Sequence, residues 1–74
     1  MEIAAMSFDR RKVLKALRER GFEVVREGGR HTIVGRRDGA RIAVPRHREL
    51  NRLTVRGIAE DAGADWETFK REVS

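Results

Sequence analysis

Apolar positions recur along this chain first with helical spacing, then with strand spacing, then with helical spacing again. Phe8, Val13, Leu14 and Leu17 would give a first helix one apolar stripe, with Lys15 and Arg18 on its outer side. Ser7 or Asp9 is placed to cap it, because a short side-chain oxygen accepts a hydrogen bond from the free N–H groups of a first turn. Arg18 and Arg20 suit the negative end of the helix dipole. Gly21 follows as the residue that takes a left-handed conformation and stops the helix near Arg20.

Residues 22–26 then read as a strand, with Phe22 and Val24 on one face and Glu23 and Val25 on the other. Residues 31–35 read as a second strand, since Thr32, Ile33 and Val34 are all β-branched. Gly28-Gly29 marks the turn between them. Asp38-Gly39 predicts a two-residue type I′ hairpin, in which both central residues need positive φ. Residues 41–44 make a third strand with Ile42 and Val44 on one face, ended by Pro45, which has no N–H to donate. Residues 46–53 are expected to be a polar, arginine-rich loop. Thr54 is expected to cap a helix to about Ala62 through Val55, Ile58 and Ala59, with Gly63 closing it. Asp65 opens a last short helix in which Trp66, Phe69 and Val73 share a face.

The predicted order is α–β–β–β–α–α, an α+β fold with a three-stranded antiparallel sheet, helices on one face and water on the other. There is no repeat, linker or low-complexity stretch, so residues 1–74 read as one domain with residues 1–6 as a frayed leader. A core this small buries only about 60% of the unfolded chain's surface, so modest stability is expected.

Composition narrows the partner. Of 17 cationic residues only Lys12, Lys15 and Lys70 are not arginine, and 12 acidic residues leave a net charge of +5. The pI is near 11. Arginine grips phosphate through a planar fork, although a GC-rich or thermophilic genome also enriches it. The charge is unevenly spread. Residues 26–56 hold nine arginines against Glu27, Asp38 and Glu49, while residues 57–74 are net acidic. That middle segment is a candidate footprint for a polyanion, or else a solvated, arginine-rich face.

Other classes recede. Without cysteine there is neither a disulfide framework nor a thiolate metal site, and the spacing of the two histidines suggests no metal. No apolar run approaches the roughly 20 residues of a membrane span. Residues 3–6 are too short to serve as a signal peptide, so a soluble, cytoplasmic protein without membrane partners is expected. There is also no nucleotide-binding glycine motif.

Acid–base chemistry near neutral pH then falls to His31 and His47. His31 follows a glycine turn at the start of a strand, beside Arg30 and near Arg26. There an imidazole could take a proton from a ribose 2′-hydroxyl or give one to a leaving group, without a metal, while the arginines hold the phosphodiester. Read from the residues alone, a histidine packed at the sheet edge beside Ile33 fits as well. His47, in Pro45-Arg46-His47-Arg48, could partner His31, contact phosphate or simply be exposed.

The succession of segments resembles a known family. Residues 11–17 (RKVLKAL), 21–26 (GFEVVR) and 29–31 (GRH), then Asp38-Gly39, residues 44–50 (VPRHREL), Thr54, Ile58 and Ala62-Gly63, are similar in order and spacing to the HicA toxins. The likeness covers roughly residues 8–72. It implies a fold like the double-stranded RNA-binding domain and a cofactor-free endoribonuclease that cleaves messenger RNA. A HicB-like antitoxin would neutralise it. The family's functional histidine falls on His31, with Arg30 where the family usually carries serine and Leu53 where it often carries glycine. Catalysis is thus assigned to His31, and RNA contacts to Arg26, Arg30, Arg46, His47 and Arg48. The rival expectations are a non-catalytic RNA-binding module of the same fold and a domain whose arginines meet an acidic protein.

Overall fold

A computed structural model describes residues 7–74, and the leader read from residues 1–6 lies outside them. The order is β1 (Ser7–Asp9), α1 (Arg10–Arg18), β2 (Glu23–Glu27), β3 (His31–Gly35), β4 (Arg41–Pro45), β5 (Glu49–Asn51), α2 (Arg52–Asp61) and α3 (Trp66–Val73). The expected α+β class holds, with β2, β3 and β4 forming an antiparallel sheet in which β3 is central.

The punctuation read from sequence largely acts as expected. Asp9 caps α1 by accepting from the Arg11 N–H at 2.7 Å, and Asp65 caps α3 by accepting from Thr68. Gly21 sits at φ 93°, where its N–H donates to the Arg18 carbonyl while that of Phe22 reaches back to Leu17. Gly63 and Ala64 repeat the arrangement after α2, donating to Glu60 and Ala59.

Three expectations need correction. Residues 46–53 are not all loop: β5 pairs with β1, with Phe8 opposite Leu50, so Phe8 enters the core from a strand and not from the α1 stripe. Helix α2 starts at Arg52, because the Asn51 side chain caps it by accepting from the Thr54 N–H at 2.8 Å, so Thr54 lies inside the helix. The hairpin at Asp38-Gly39 is not type I′, since Gly39 alone among its turn residues has positive φ. Gly39 instead donates to the Arg36 carbonyl, and the Arg36 N–H returns to Ala40, giving a three-residue loop steadied by the Asp38 carboxylate on the Ala40 N–H.

The core lies between the helices and one face of the main sheet, which contributes Val34, Ile42 and Val44. Phe22, Leu17, Val55 and Phe69 fill its centre. β2 overhangs this core as an edge strand with a bulge between Val24 and Arg26, so Val24 is half exposed despite pairing with Val34. Among the described residues no helix is long and apolar enough to cross a membrane.

Arg20 fastens α1 to α3. It donates to both oxygens of Glu72, at 2.6 and 3.0 Å, and lies 5.0 Å from the centre of the Phe69 ring. This guanidinium holds the Glu72 carboxyl below its ordinary value of 4.5. A depressed carboxyl contributes stability that is present above its unfolded value and is lost as pH falls through the folded one. The melting temperature should therefore fall on acidification below pH 4.5. Glu72→Gln should be less stable than the native chain at neutral pH and lose less on going to about pH 3. An identical acid loss in both proteins would show that the pair has no such role.

Candidate functional site

β3 decides where His31 points. Thr32 and Val34 of this strand are buried against the core, so His31, Ile33 and Gly35 face the opposite, helix-free side. His31 stands directly across from Pro45 and is exposed, not packed at the sheet edge. Two backbone bonds join the segments around it. The Gly28 N–H donates to the His31 carbonyl at 2.8 Å, and the Arg46 N–H to the Arg30 carbonyl at 3.0 Å. The glycine turn and the chain leaving β4 are thereby held side by side.

Between them lies an open pocket of about 450 Å³, lined by Gly29, Arg30, His31, Pro45, Arg46 and His47. Four of the six residues singled out from sequence meet there. The other two do not: Arg26 sits opposite Ile33 on the edge strand, and Arg48 lines a neighbouring groove. Among the described residues, Arg30, His31 and His47 make no side-chain hydrogen bond or ion pair. Their donors and acceptors face water, available to a ligand.

Arg46 is different, because it is the end of a chain of hydrogen bonds that begins on α1. Arg10 donates through Nε to the Pro45 carbonyl at 2.9 Å and through Nη2 to the Thr32 hydroxyl. That hydroxyl, on a residue with no exposed surface, donates in turn to Glu27 Oε1 at 2.8 Å. Arg46 Nη1 then donates to the same Glu27 oxygen and to the Gly28 carbonyl, each at 3.0 Å. A threonine hydroxyl is one donor and two acceptors, so it can join a cation to a carboxylate where neither alone would be well served. The result is a fixed wall on one side of the pocket.

Arg10, Glu27 and Thr32 were not among the residues singled out from sequence. One signal pointed to the first. Arg10, Arg11 and Lys12 occupy the opening turn of α1, which holds no acidic residue, and cations there face the positive end of the helix dipole.

An imidazole beside guanidinium groups on an open pocket can hold a phosphodiester and move a proton at one of its oxygens. No curated protein matches the chain. The family model for the HicA toxin of bacterial toxin–antitoxin systems matches residues 10–64, a span that contains β2 to β4, the pocket and α2. The chain belongs to the HicA toxin family.

Proposed function

We propose that this toxin is an endoribonuclease that cuts messenger RNA in the cytoplasm, with His31 as the proton-transfer group, and that a HicB-like antitoxin restrains it. The convergence of Arg30, His31, Arg46 and His47 on one exposed pocket carries this reading. In the reaction, the ribose 2′-oxygen attacks the adjoining phosphorus and the bond to the 5′-oxygen breaks. The products are a 2′,3′-cyclic phosphate and a 5′-hydroxyl. His31 either takes the 2′-hydroxyl proton or supplies the proton that the leaving 5′-oxygen needs, and His47, which lines the same pocket, takes the other role. Arg30 and Arg46 balance the charge that builds on the phosphate oxygens. The wall formed by Glu27 and Thr32 keeps Arg46 from having to reorganise as that charge develops.

The purified chain, incubated with a single-stranded RNA in the presence of a chelator, is expected to give fragments ending in cyclic phosphate. A strand of the same sequence lacking 2′-hydroxyls should survive, because the attacking atom is missing. Tight, salt-sensitive binding of RNA that is never cut would instead show a non-catalytic RNA-binding module.

A further inference from the structure

Beside the histidine pocket lies a second groove of about 620 Å³, lined by Asp9, Arg10, Arg11, Arg46 and Arg48. Arg46 belongs to both walls, so the two depressions adjoin. We propose that this groove is a second phosphate-binding subsite, which takes the backbone phosphate next to the one held at His31 and so sets the track of the RNA strand. The proposal rests on the RNA-cleaving reading of the first pocket and extends it by one nucleotide.

The groove is built to hold an anion in place. Arg10 is fixed by the Pro45 carbonyl and the Thr32 hydroxyl, and its Nη1 has no hydrogen-bond partner among the described residues. The Arg10 backbone N–H donates to the Arg48 carbonyl at 2.9 Å, which pins the Arg48 backbone to the start of α1. The Arg48 side chain itself is exposed and has no carboxylate partner among the described residues. The single acid in the groove is already engaged. Asp9 accepts from the Arg11 N–H and side chain, and the Arg11 guanidinium holds its carboxyl below the usual range. Four guanidinium groups against one carboxylate leave the lining at a formal +3.

The lining also distinguishes between kinds of partner. Protein interfaces centre on buried apolar or aromatic anchors, and this groove has none. Among the described residues, the large apolar side chains left exposed, Val24, Val25 and Leu53, lie on β2 and α2 and do not line it. Two adjoining cationic depressions that share one arginine match a chain carrying one negative charge per nucleotide. Arg10 and Arg11, from the first turn of α1, add their charge to this lining.

The test uses the full chain and two probes that lack a free 2′-hydroxyl and so cannot be cut. One is a 2′-O-methyl hexanucleotide, the other a 2′-O-methyl dinucleoside monophosphate with a single phosphate. Affinity for the hexanucleotide is measured across salt concentrations. Arg48→Gln is expected to weaken it about tenfold at low salt and to lower the slope of log affinity against log salt by about 0.7. Binding of the dinucleotide, followed through the His31 and His47 ring signals, should not change.

Arg37→Gln removes an equal charge at the opposite end of the sheet and should leave the slope alone. An unaltered slope in Arg48→Gln, an equal fall in Arg37→Gln, or an equal loss for the dinucleotide would each overturn the subsite. So would normal RNA affinity in Arg48→Gln combined with weakened binding of the antitoxin, which would give the groove to an acidic protein. Cleavage of unmodified RNA, assayed alongside, keeps the two readings apart. An unaltered slope with cleavage intact removes the groove alone, whereas the expected slope change without any cleavage upholds the groove and removes the nuclease.

Discussion

His31→Ala is expected to slow RNA cleavage by about 10²–10⁴-fold, the usual worth of a positioned acid or base. The melting temperature should stay within the small range typical of surface substitutions, about 0.5 kcal/mol of stability. The two halves of this expectation depend on different observations. The loss of rate follows from an imidazole on an open pocket between Arg30 and Arg46. The unchanged stability follows from its exposure and from the absence of any side-chain bond to it among the described residues. In cells lacking the antitoxin, the native chain should arrest growth and the variant should not. Equal arrest by both would remove His31 from the chemistry. His47→Ala supplies the comparison. If the two rings are the acid and the base of one reaction, the double variant should cost far less than the product of the single losses, because each loss disables the same step. If His47 only contacts phosphate, the losses should multiply.

How far the sequence could lead is clearest at β3. Thr32, Ile33 and Val34 are all β-branched, which announces a strand but hides its faces, because a shift of one residue exchanges them. Hydropathy alone would have put Ile33 inside and Thr32 outside, yet Thr32 is buried and Ile33 shares the open face with His31. The reversal arises because the Thr32 hydroxyl is satisfied by Arg10 and Glu27, groups 22 and 5 residues away along the chain. The β1–β5 ladder was illegible for a similar reason. Each strand has three residues, mostly polar, and their pairing spans the gap from Ser7 to Asn51. Local signals fared better wherever the physics is local, at the Asp9 and Asp65 caps and at the Gly21 and Gly63 stops. For the site, the loop around Arg46 and His47 could be matched to the His31 turn only through the family resemblance. The contact between them is a matter of register, His31 against Pro45, which composition does not encode.

Thr32→Val should expose how much the site depends on that buried hydroxyl. Valine keeps the branched shape and the strand preference, so packing against the core is nearly preserved and the change is confined to two hydrogen bonds. Arg10 Nη2 then faces a methyl group in a half-buried position, and the Glu27 carboxylate loses one of its two donors, keeping Arg46. Leaving a partly buried charged donor unpaired costs about 1–3 kcal/mol. A chain of this length has roughly 4–11 kcal/mol in total. The melting temperature should fall by about 4–8 °C for each kcal/mol lost. Thr32→Ser, which restores the hydroxyl and gives up only a methyl group, should recover most of that loss; a serine variant no better than valine would show that packing, not the bond, was at stake. The consequence for function is separable from stability. With Glu27 no longer tied to Thr32, the Arg46 guanidinium has a looser anchor at the edge of the pocket. Cleavage measured well below the melting temperature should therefore fall in Thr32→Val and recover in Thr32→Ser. That outcome would show a buried threonine, its side chain on the sheet face opposite to that of His31, holding the phosphate-binding arginine in place.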